Sequence, residues 1–214
     1  MVSWILWNIT PLMIRIVDDF FPDPFRIRSI ALESKYPTRD RNYPGERFAV
    51  DNNTRDFALK LMREHLPNAT LSDRENHGMG FNFIDDSYVA GMCHADQTFS
   101  RYNCIVYLTP DPPLETGIEI YDNFMLHELK HPSHIKKCAK VKEKFFQSSR
   151  NPIDKFFYKR YGIEESLKYQ KNKIEVSNKF NRMVLVPSER IHRPQNYFGK
   201  YRRDCRLTLT TFLD

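Results

Sequence analysis

Two histidines, one aspartate and one arginine are the residues of this sequence whose types and spacing are best suited to chemistry. His94 and Asp96 are separated by one residue, and His192 lies far downstream. If His94 and Asp96 end a strand, their side chains point to the same face, because side chains alternate across a strand. Two histidines and one carboxylate form a facial triad, which holds iron(II) and leaves positions for an oxidant and a chelating co-substrate. An isolated His-x-Asp is a weak signal, so the hypothesis depends on the rest of the chain.

Arg206 strengthens this hypothesis. It opens a Leu-Thr alternation that predicts a strand with Arg206, Thr208 and Thr210 on one face. We expect that face to look into the protein interior. A buried guanidinium needs an anionic partner, and its planar fork matches a carboxylate. Thr208, and Tyr107 on the strand that follows the His-x-Asp, would add donors for the same carboxylate.

The elements that must position these residues are mainly β. Short aromatic and β-branched segments predict strands at 13–17, 79–84, 88–94, 104–108, 117–121, 182–186 and 206–212. Helical spacing and capping residues predict helices near 24–35 and over 54–65, and residues 125–180 are expected to be mostly helical. The predicted class is mainly β with α: N-terminal helices on an antiparallel sheet structure, and a helical insertion before the last two strands. A jelly-roll core suits many short strands joined by irregular loops.

Five elements of this sequence resemble the 2-oxoglutarate and iron(II)-dependent oxygenase superfamily. The resemblance is closest to its prolyl 4-hydroxylase-like branch and to the short members found in phage genomes, and it runs from about residue 13 to the C terminus. The elements occur in the family's order and are together far more specific than any one alone: His94-Ala95-Asp96, Tyr107-Leu108-Thr109, Thr116-Gly117-Ile118-Glu119, Pro187 to His192, and Arg206-Leu207-Thr208.

The resemblance implies a double-stranded β-helix, with Fe(II), 2-oxoglutarate and dioxygen as cofactor and co-substrates. It implies that the catalytic metal ligands are His94, Asp96 and His192, and that 2-oxoglutarate is bound by Arg206, Thr208 and Tyr107. The carboxylate at Asp96 favours hydroxylation, because halogenating relatives lack one there. The implied reaction hydroxylates a C–H bond, with a protein side chain such as proline as the first guess for the substrate. The sequence departs from the family at Thr116-Gly117, where Gly-Gly is usual, and in the length of the insertion.

Composition predicts one globular domain over residues 1–214, with 41% hydrophobic and 28% charged residues. The net charge of +6 is uneven, because residues 125–180 hold 14 basic against 6 acidic residues. That basic insertion favours an anionic or protein substrate and allows contact with nucleic acid, although a solvated helical face explains it equally well. Four scattered cysteines and the absence of a signal or membrane segment predict a cytoplasmic protein, in the host cytoplasm for a phage-encoded chain.

Two other functions compete with the oxygenase hypothesis. His127, Glu128 and His131 match the H-E-x-x-H of zinc metalloproteases, but Pro132 directly follows and should end the required helix. A nucleic-acid-binding module on a degenerate barrel is the non-enzyme alternative, since aromatic residues alternate with lysines in the basic insertion. Those aromatic residues more often form a core within such a segment. A binding module would not need iron, whereas an oxygenase would lose turnover without His192.

Overall fold

The computed structural model of the protein describes residues 13–35, 37–38, 44–72, 78–89, 91, 93–96, 100–124, 149–168 and 170–214. The strands are β1 Arg15–Val17, β2 Glu46–Ala49, β3 Gly80–Ile84, β4 Tyr102–Tyr107, β5 Ile118–Phe124, β6 Ile174–Val176, β7 Met183–Pro187, β8 Arg190–Pro194 and β9 Arg206–Leu213. The helices are α1 Pro24–Glu33, α2 Asn52–His65 and α3 Pro152–Tyr158, which continues through a π-helical turn at Lys159–Glu164 into a helical turn at Glu165–Leu167. The predicted class, mainly β with α, is therefore confirmed. Within these residues, no helix has the length and apolar character that a membrane span requires.

The described strands form two antiparallel sheets. The larger sheet has the order β1-β7-β4-β9-β3-β2, and the smaller has the order β6-β5-β8. The backbone of His94 pairs with the edge of β8 that β5 leaves open. After β5, the chain alternates between the sheets, since β6 and β8 belong to the smaller and β7 and β9 to the larger. Residues far apart in sequence therefore meet between the sheets.

The larger sheet is covered on one face by α1 and α2. Asp23 caps α1 by accepting a hydrogen bond from the Arg26 N–H at 3.0 Å, and Asp51 caps α2 in the same way from Thr54 at 3.0 Å. Met62 of α2 is fully buried in the core between the helices and the sheet. Burying such a side chain stabilises a fold by about 1.5–3 kcal/mol. The prediction of two N-terminal helices packed on a sheet is confirmed.

Strand β4 shows how the two faces of the larger sheet differ. Cys104 and Val106 belong to the core under the helices, while Ile105 and Tyr107 belong to a second core. That second core joins the two sheets, because it draws side chains from β4 and β7 and also from β5 and β6: Ile105, Tyr107, Ile118, Ile120, Val176, Val184 and Val186. The smaller sheet therefore packs on the face of the larger sheet that the helices leave free.

The outer face of the smaller sheet carries a buried ion pair. Arg193 on β8 donates two hydrogen bonds to Glu119 on β5, at 2.5 and 2.9 Å, and Tyr121 donates a third to the same carboxylate at 2.5 Å. Burial raises the pKa of Glu119, but the hydrogen bonds from Arg193 and Tyr121 outweigh it, so that the pKa lies below its usual value. The two hydrogen bonds from Arg193 join β8 to β5 on this face, and Tyr121 fixes the Glu119 carboxylate from the same strand.

The described part of the basic insertion is attached to the segment that leads to His94. The Cys93 N–H donates to the Ser166 hydroxyl at 3.3 Å, and Arg150 forms an ion pair with Asp86 at 2.6 Å. The Ser149 N–H donates to the Ser87 carbonyl at 3.0 Å. The helical segment 149–168 therefore lies beside the chain that enters the candidate site.

Three predictions about the secondary structure were wrong. Among the described residues of the strand predicted at 88–94, only His94 is paired, as an isolated bridge; just before it, Asp85 accepts a hydrogen bond from the Ser87 N–H at 2.8 Å and starts a turn. Strand β6 lies inside the segment predicted to be mostly helical. Three strands, not two, follow the insertion, because His192 lies within the unpredicted strand β8. Strand β2 was also not predicted.

Candidate metal centre and anion pocket

The structure brings His94, Asp96 and His192 together. His94 and His192 exchange both backbone hydrogen bonds, with N···O distances of 3.0 and 2.9 Å. The Asp96 N–H donates to the Ser188 carbonyl at 2.8 Å, two residues before β8 begins. Three backbone hydrogen bonds thus tie the His-x-Asp segment to the strand that carries the third residue, although they are about 100 residues apart in sequence.

The side-chain atoms of these residues form a cluster of metal-binding size. His192 Nε2 lies 3.2 Å from Asp96 Oδ2, His94 Nε2 lies 3.8 Å from Asp96 Oδ1, and the ligand atoms all lie within 4.8 Å of one another. With metal–ligand bonds of about 2.1 Å, neighbouring ligand atoms of an octahedral ion are about 3 Å apart. Two imidazoles and one carboxylate are the donor set of a facial triad. The residues present therefore fit a divalent first-row metal ion.

Exposure differs among the three residues of the cluster. His192 and Asp96 are buried, while the His94 side chain is 48% exposed. A metal ion bound here would be packed against protein beside Asp96 and His192.

Asp96 and His192 each favour the charged form of the other. Burial raises the pKa of Asp96, but the nearby His94 and His192 outweigh burial and bring that pKa below its usual value. Burial lowers the pKa of His192, yet its hydrogen bond to Asp96 raises the pKa above the usual value. His192 Nδ1 lies 3.0 Å from the Arg190 carbonyl, so Nδ1 carries a proton and Nε2 faces the cluster. A metal ion would displace the proton shared between Nε2 and Asp96.

Asn103 on β4 is a neighbour of the cluster that the sequence reasoning missed. Its Nδ2 donates to Asp96 Oδ2 at 2.8 Å and lies 3.5 Å from His192 Nε2. The signal that could have found it is alternation, because Asn103 and Tyr107 lie on the same face of β4. Asn103 therefore reaches the cluster from the larger sheet, whereas His94 and His192 lie at the edge of the smaller sheet.

Arg206, at the start of β9, is buried between the sheets. Its Nε donates to the Thr116 carbonyl at 3.1 Å, and its guanidinium carbon lies 5.4 Å from the Tyr107 ring and 5.8 Å from the Tyr197 ring. Among the described residues, no carboxylate forms an ion pair with Arg206. A guanidinium with 5% exposure and no acidic partner favours an anionic ligand. Tyr197, in the loop after β8, was also missed.

Two hydroxyl groups beside Arg206 have no hydrogen-bond partner among the described residues. Tyr107 and Thr208 face each other across β4 and β9, and both are fully buried. Burial raises the pKa of Tyr107, and the charge of Arg206 opposes that rise. Buried polar groups are normally paired. These two hydroxyls, without a partner among the described residues, lie beside a buried guanidinium, and together the three groups suit an anionic ligand. We call this group of Arg206, Tyr107 and Thr208 the anion pocket.

The carbonyl that holds Arg206 is fixed by a close approach of two strands. A Cβ at Gly117 would overlap the Val176 carbonyl of β6, so only glycine fits here. The Gly117 N–H donates to the Gln195 side chain at 3.0 Å, and Thr116 precedes it directly. The Thr116 carbonyl, held in place by this close approach, therefore helps to position the arginine.

The zinc-protease residues His127, Glu128 and His131 lie outside the described residues. In the part of the chain that the structure describes, His94, Asp96 and His192 are the one group of three or more side chains whose atoms could share a metal ion.

Residues 7–213 match the family described as "Family of unknown function (DUF6445)". The chain belongs to this family. No curated protein sequence matches the chain significantly.

Several solved structures resemble this member of the family. HygX from Streptomyces hygroscopicus, solved with nickel and 2-oxoglutarate bound, has a TM-score of 0.52 and 14% identity over 92% of this chain and 81% of its own. The non-haem, α-ketoglutarate-dependent epimerase SnoN from nogalamycin biosynthesis has a TM-score of 0.52 and 11% identity, over 94% and 77%. A prolyl 4-hydroxylase of Phytophthora capsici has a TM-score of 0.49 and 14% identity, over 96% of this chain and 60% of that enzyme. The likeness to HygX and SnoN shows a shared fold.

Proposed function

We propose that this protein is an Fe(II)- and 2-oxoglutarate-dependent dioxygenase that hydroxylates a C–H bond. His94, Asp96 and His192 are the metal ligands, and the anion pocket binds the distal carboxylate of 2-oxoglutarate. The observation on which the proposal rests is the anion pocket, because a buried arginine beside two buried hydroxyls that have no partner among the described residues suits a carboxylate. The shared fold with 2-oxoglutarate-dependent proteins supports it.

We place the metal cluster and the anion pocket at the two ends of one co-substrate site. Asn103, which contacts Asp96, and Tyr107 of the anion pocket lie on the same face of β4. Asn103 and Tyr107 are four residues apart, which corresponds to about 13 Å along the strand, and the Arg206 guanidinium lies beside the Tyr107 ring. A molecule with a metal-chelating end and a carboxylate end would bridge the two sites. 2-Oxoglutarate has those two ends.

The chain's own residues position and shield the reactants. Iron(II) and 2-oxoglutarate would supply the oxidant from dioxygen, so that one oxygen atom enters the substrate C–H bond and the other enters succinate, with release of carbon dioxide. Arg206 would neutralise the distal carboxylate, and Tyr107 and Thr208 would hydrogen-bond it. The inter-sheet core around Ile105 would exclude water. The exposed side of His94 leaves room for the substrate.

The proposed architecture is a double-stranded β-helix that forms one domain over residues 1–214. The order β1-β7-β4-β9-β3-β2, facing β6-β5-β8 with His94 at its edge, supports it. We propose a protein side chain such as proline, or an anionic molecule, as the substrate. Exposed basic residues beside the segment that enters the site favour an anionic one: Arg150, Lys159, Arg160 and Lys168.

Nucleic-acid contact is a second candidate role for the insertion. Phe156 and Phe157 are 69% and 47% exposed rather than part of a core, and Lys159 follows them closely. Exposed aromatic rings among lysines suit stacking on single strands. Salt-dependent binding of a single-stranded oligonucleotide, lost in Phe156→Ala and independent of iron, would support this role.

The test of the proposed function is succinate formation from 2-oxoglutarate by iron-loaded protein on exposure to air. Wild-type protein should form succinate in an iron-dependent manner, and His192→Ala should form none. If no succinate forms, binding of 2-oxoglutarate to the metal-loaded protein is measured by calorimetry. Binding would indicate an enzyme that turns over only with its substrate, whereas no binding would contradict the proposed co-substrate. A protein that binds neither metal nor 2-oxoglutarate would contradict the proposal.

A further inference from the structure

Asn103 is a buried amide that contacts two of the three side chains of the metal cluster. It is 6% exposed, and it comes from β4 of the larger sheet, whereas His94 and His192 pair at the edge of the smaller sheet. Its Nδ2 lies 2.8 Å from Asp96 Oδ2 and 3.5 Å from His192 Nε2. The two sheets thus meet at this amide.

The orientation of the amide follows from its neighbours. Turning it over would place the Asn103 carbonyl oxygen about 3 Å from a carboxylate oxygen, and two acceptors at that distance repel each other. Nδ2 must therefore face Asp96. In this orientation Asn103 Oδ1 is buried and has no hydrogen-bond partner among the described residues. An amide needed only to fill space would not leave a buried acceptor unpaired.

The hydrogen bond from Asn103 distinguishes the two oxygens of Asp96. Oδ2 accepts from Asn103 and lies 3.2 Å from His192 Nε2, while Oδ1 faces His94 Nε2 at 3.8 Å. The backbone of Asp96 is held by Ser188, but among the described residues outside the cluster only Asn103 contacts its carboxylate through a side chain. Rotation of the carboxylate is therefore limited by this amide.

We propose that Asn103 is a positioning residue that holds Asp96 so that one carboxylate oxygen is presented to the metal and the positions beside it stay open. The proposal rests on the metal site of the proposed function. A carboxylate that turns freely can bind a metal through both oxygens and occupy a position that a co-substrate needs. The amide prevents that by engaging Oδ2.

The experiment compares metal binding by wild type, Asn103→Leu and Asn103→Ser, measured by calorimetric titration with Co(II) at constant pH. Leucine keeps the volume without the donor, and serine is too short to reach Asp96. We expect Co(II) to bind 10- to 100-fold more weakly in both variants, the range for loss of an outer-shell partner. Cys104→Ala is the matched control, because Cys104 is buried on β4 but faces the core under the helices, away from the cluster. It should keep wild-type affinity.

The visible spectrum of the Co(II)-saturated variants gives a second readout. It should differ from that of wild type, because the released carboxylate changes the coordination number. Thermal unfolding without metal identifies the folded variants, and a merely structural asparagine would lower the melting temperature while leaving the affinity of the folded protein unchanged. Wild-type affinity in a folded Asn103→Leu or Asn103→Ser protein would overturn the role of Asn103 alone. A wild-type protein that binds no Co(II) would overturn the metal site and the proposed function with it.

Discussion

His94 and His192 exchange both of their backbone hydrogen bonds, although 98 positions separate them in the chain. Their Cα positions are therefore set by main-chain pairing, independently of any metal ion. The His94 side chain is half exposed. The backbone of the proposed site is therefore in place without a metal ion.

Replacing His94 by alanine should separate metal binding from folding. Because the imidazole is half exposed and the backbone pairing remains, we expect a melting temperature close to that of wild type in the absence of metal. Co(II) or Fe(II) affinity should fall by more than about 100-fold, since loss of a ligand exceeds the cost of losing an outer-shell partner. His65→Ala, at the end of α2, is the control. Unchanged metal affinity would remove His94 from the site.

Replacing Arg206 by alanine should raise the 2-oxoglutarate requirement. A charged, bidentate pairing contributes about 3 kcal/mol, which corresponds to roughly 100-fold in affinity. Calorimetry with 2-oxoglutarate on Co(II)-loaded protein measures this, and Co(II) affinity should stay within about threefold of wild type. The exposed Arg203→Ala is the charge-matched control. Equal 2-oxoglutarate affinity in Arg206→Ala would show that the arginine serves another anion or only the fold.

Tyr107→Phe and Thr208→Val should leave the protein without 2-oxoglutarate as stable as wild type or more so. Neither hydroxyl has a partner among the described residues. Removing it therefore eliminates the free-energy cost of burying an unpaired hydroxyl and breaks no hydrogen bond. Affinity for 2-oxoglutarate should fall about tenfold for each lost hydrogen bond. Urea unfolding and calorimetry report the two effects, with the exposed Tyr201→Phe as control. A loss of stability without a loss of affinity would contradict the anion pocket.

The ion pair between Glu119 and Arg193 should make stability depend on pH in the acid range. The pKa of Glu119 is lowered in the folded protein, so its stabilising contribution is complete above the unfolded pKa and is lost as pH falls through the folded pKa. Wild type should therefore lose stability between about pH 5 and about pH 3 more steeply than Glu119→Gln. The variant should be less stable at neutral pH, and this difference should shrink in acid. Urea unfolding across this range tests it.

The control is Glu33→Gln, because Glu33 is exposed at the end of α1. Its free energy of unfolding should fall with decreasing pH in parallel with that of wild type. If Glu119→Gln also followed the wild-type curve, the carboxylate would not be ionised in the ion pair.

Much of the fold follows from local patterns in the sequence. Strands β4 and β9 were predictable because apolar and β-branched residues fill them, and α1 and α2 because capping residues precede helical spacing. Strand β8 was missed because Arg190, His192 and Arg193 interrupt its apolar pattern. Its pairing with β5 and His94 depends on contacts distant in sequence, which no local pattern reports.

The candidate site was predictable where one strand carries two of its residues, and not where separate elements meet. The spacing of His94 and Asp96, and the alternation of Arg206 and Thr208, put each pair on one face without knowledge of the fold. The contact between Asn103 and Asp96 requires the packing of the two sheets, and Tyr197 reaches Arg206 from a loop. Sequence reasoning therefore found the residues of recognisable chemistry and missed those that support them.

Strand β4 has a further consequence for the choice of co-substrate. One strand carries both Asn103, beside the metal cluster, and Tyr107 of the anion pocket. If 2-oxoglutarate bridges the two, we expect oxaloacetate, which is one methylene shorter, and 2-oxoadipate, which is one methylene longer, to bind more weakly. The proposed enzyme should therefore discriminate keto diacids by chain length, and β4 sets the length it accepts.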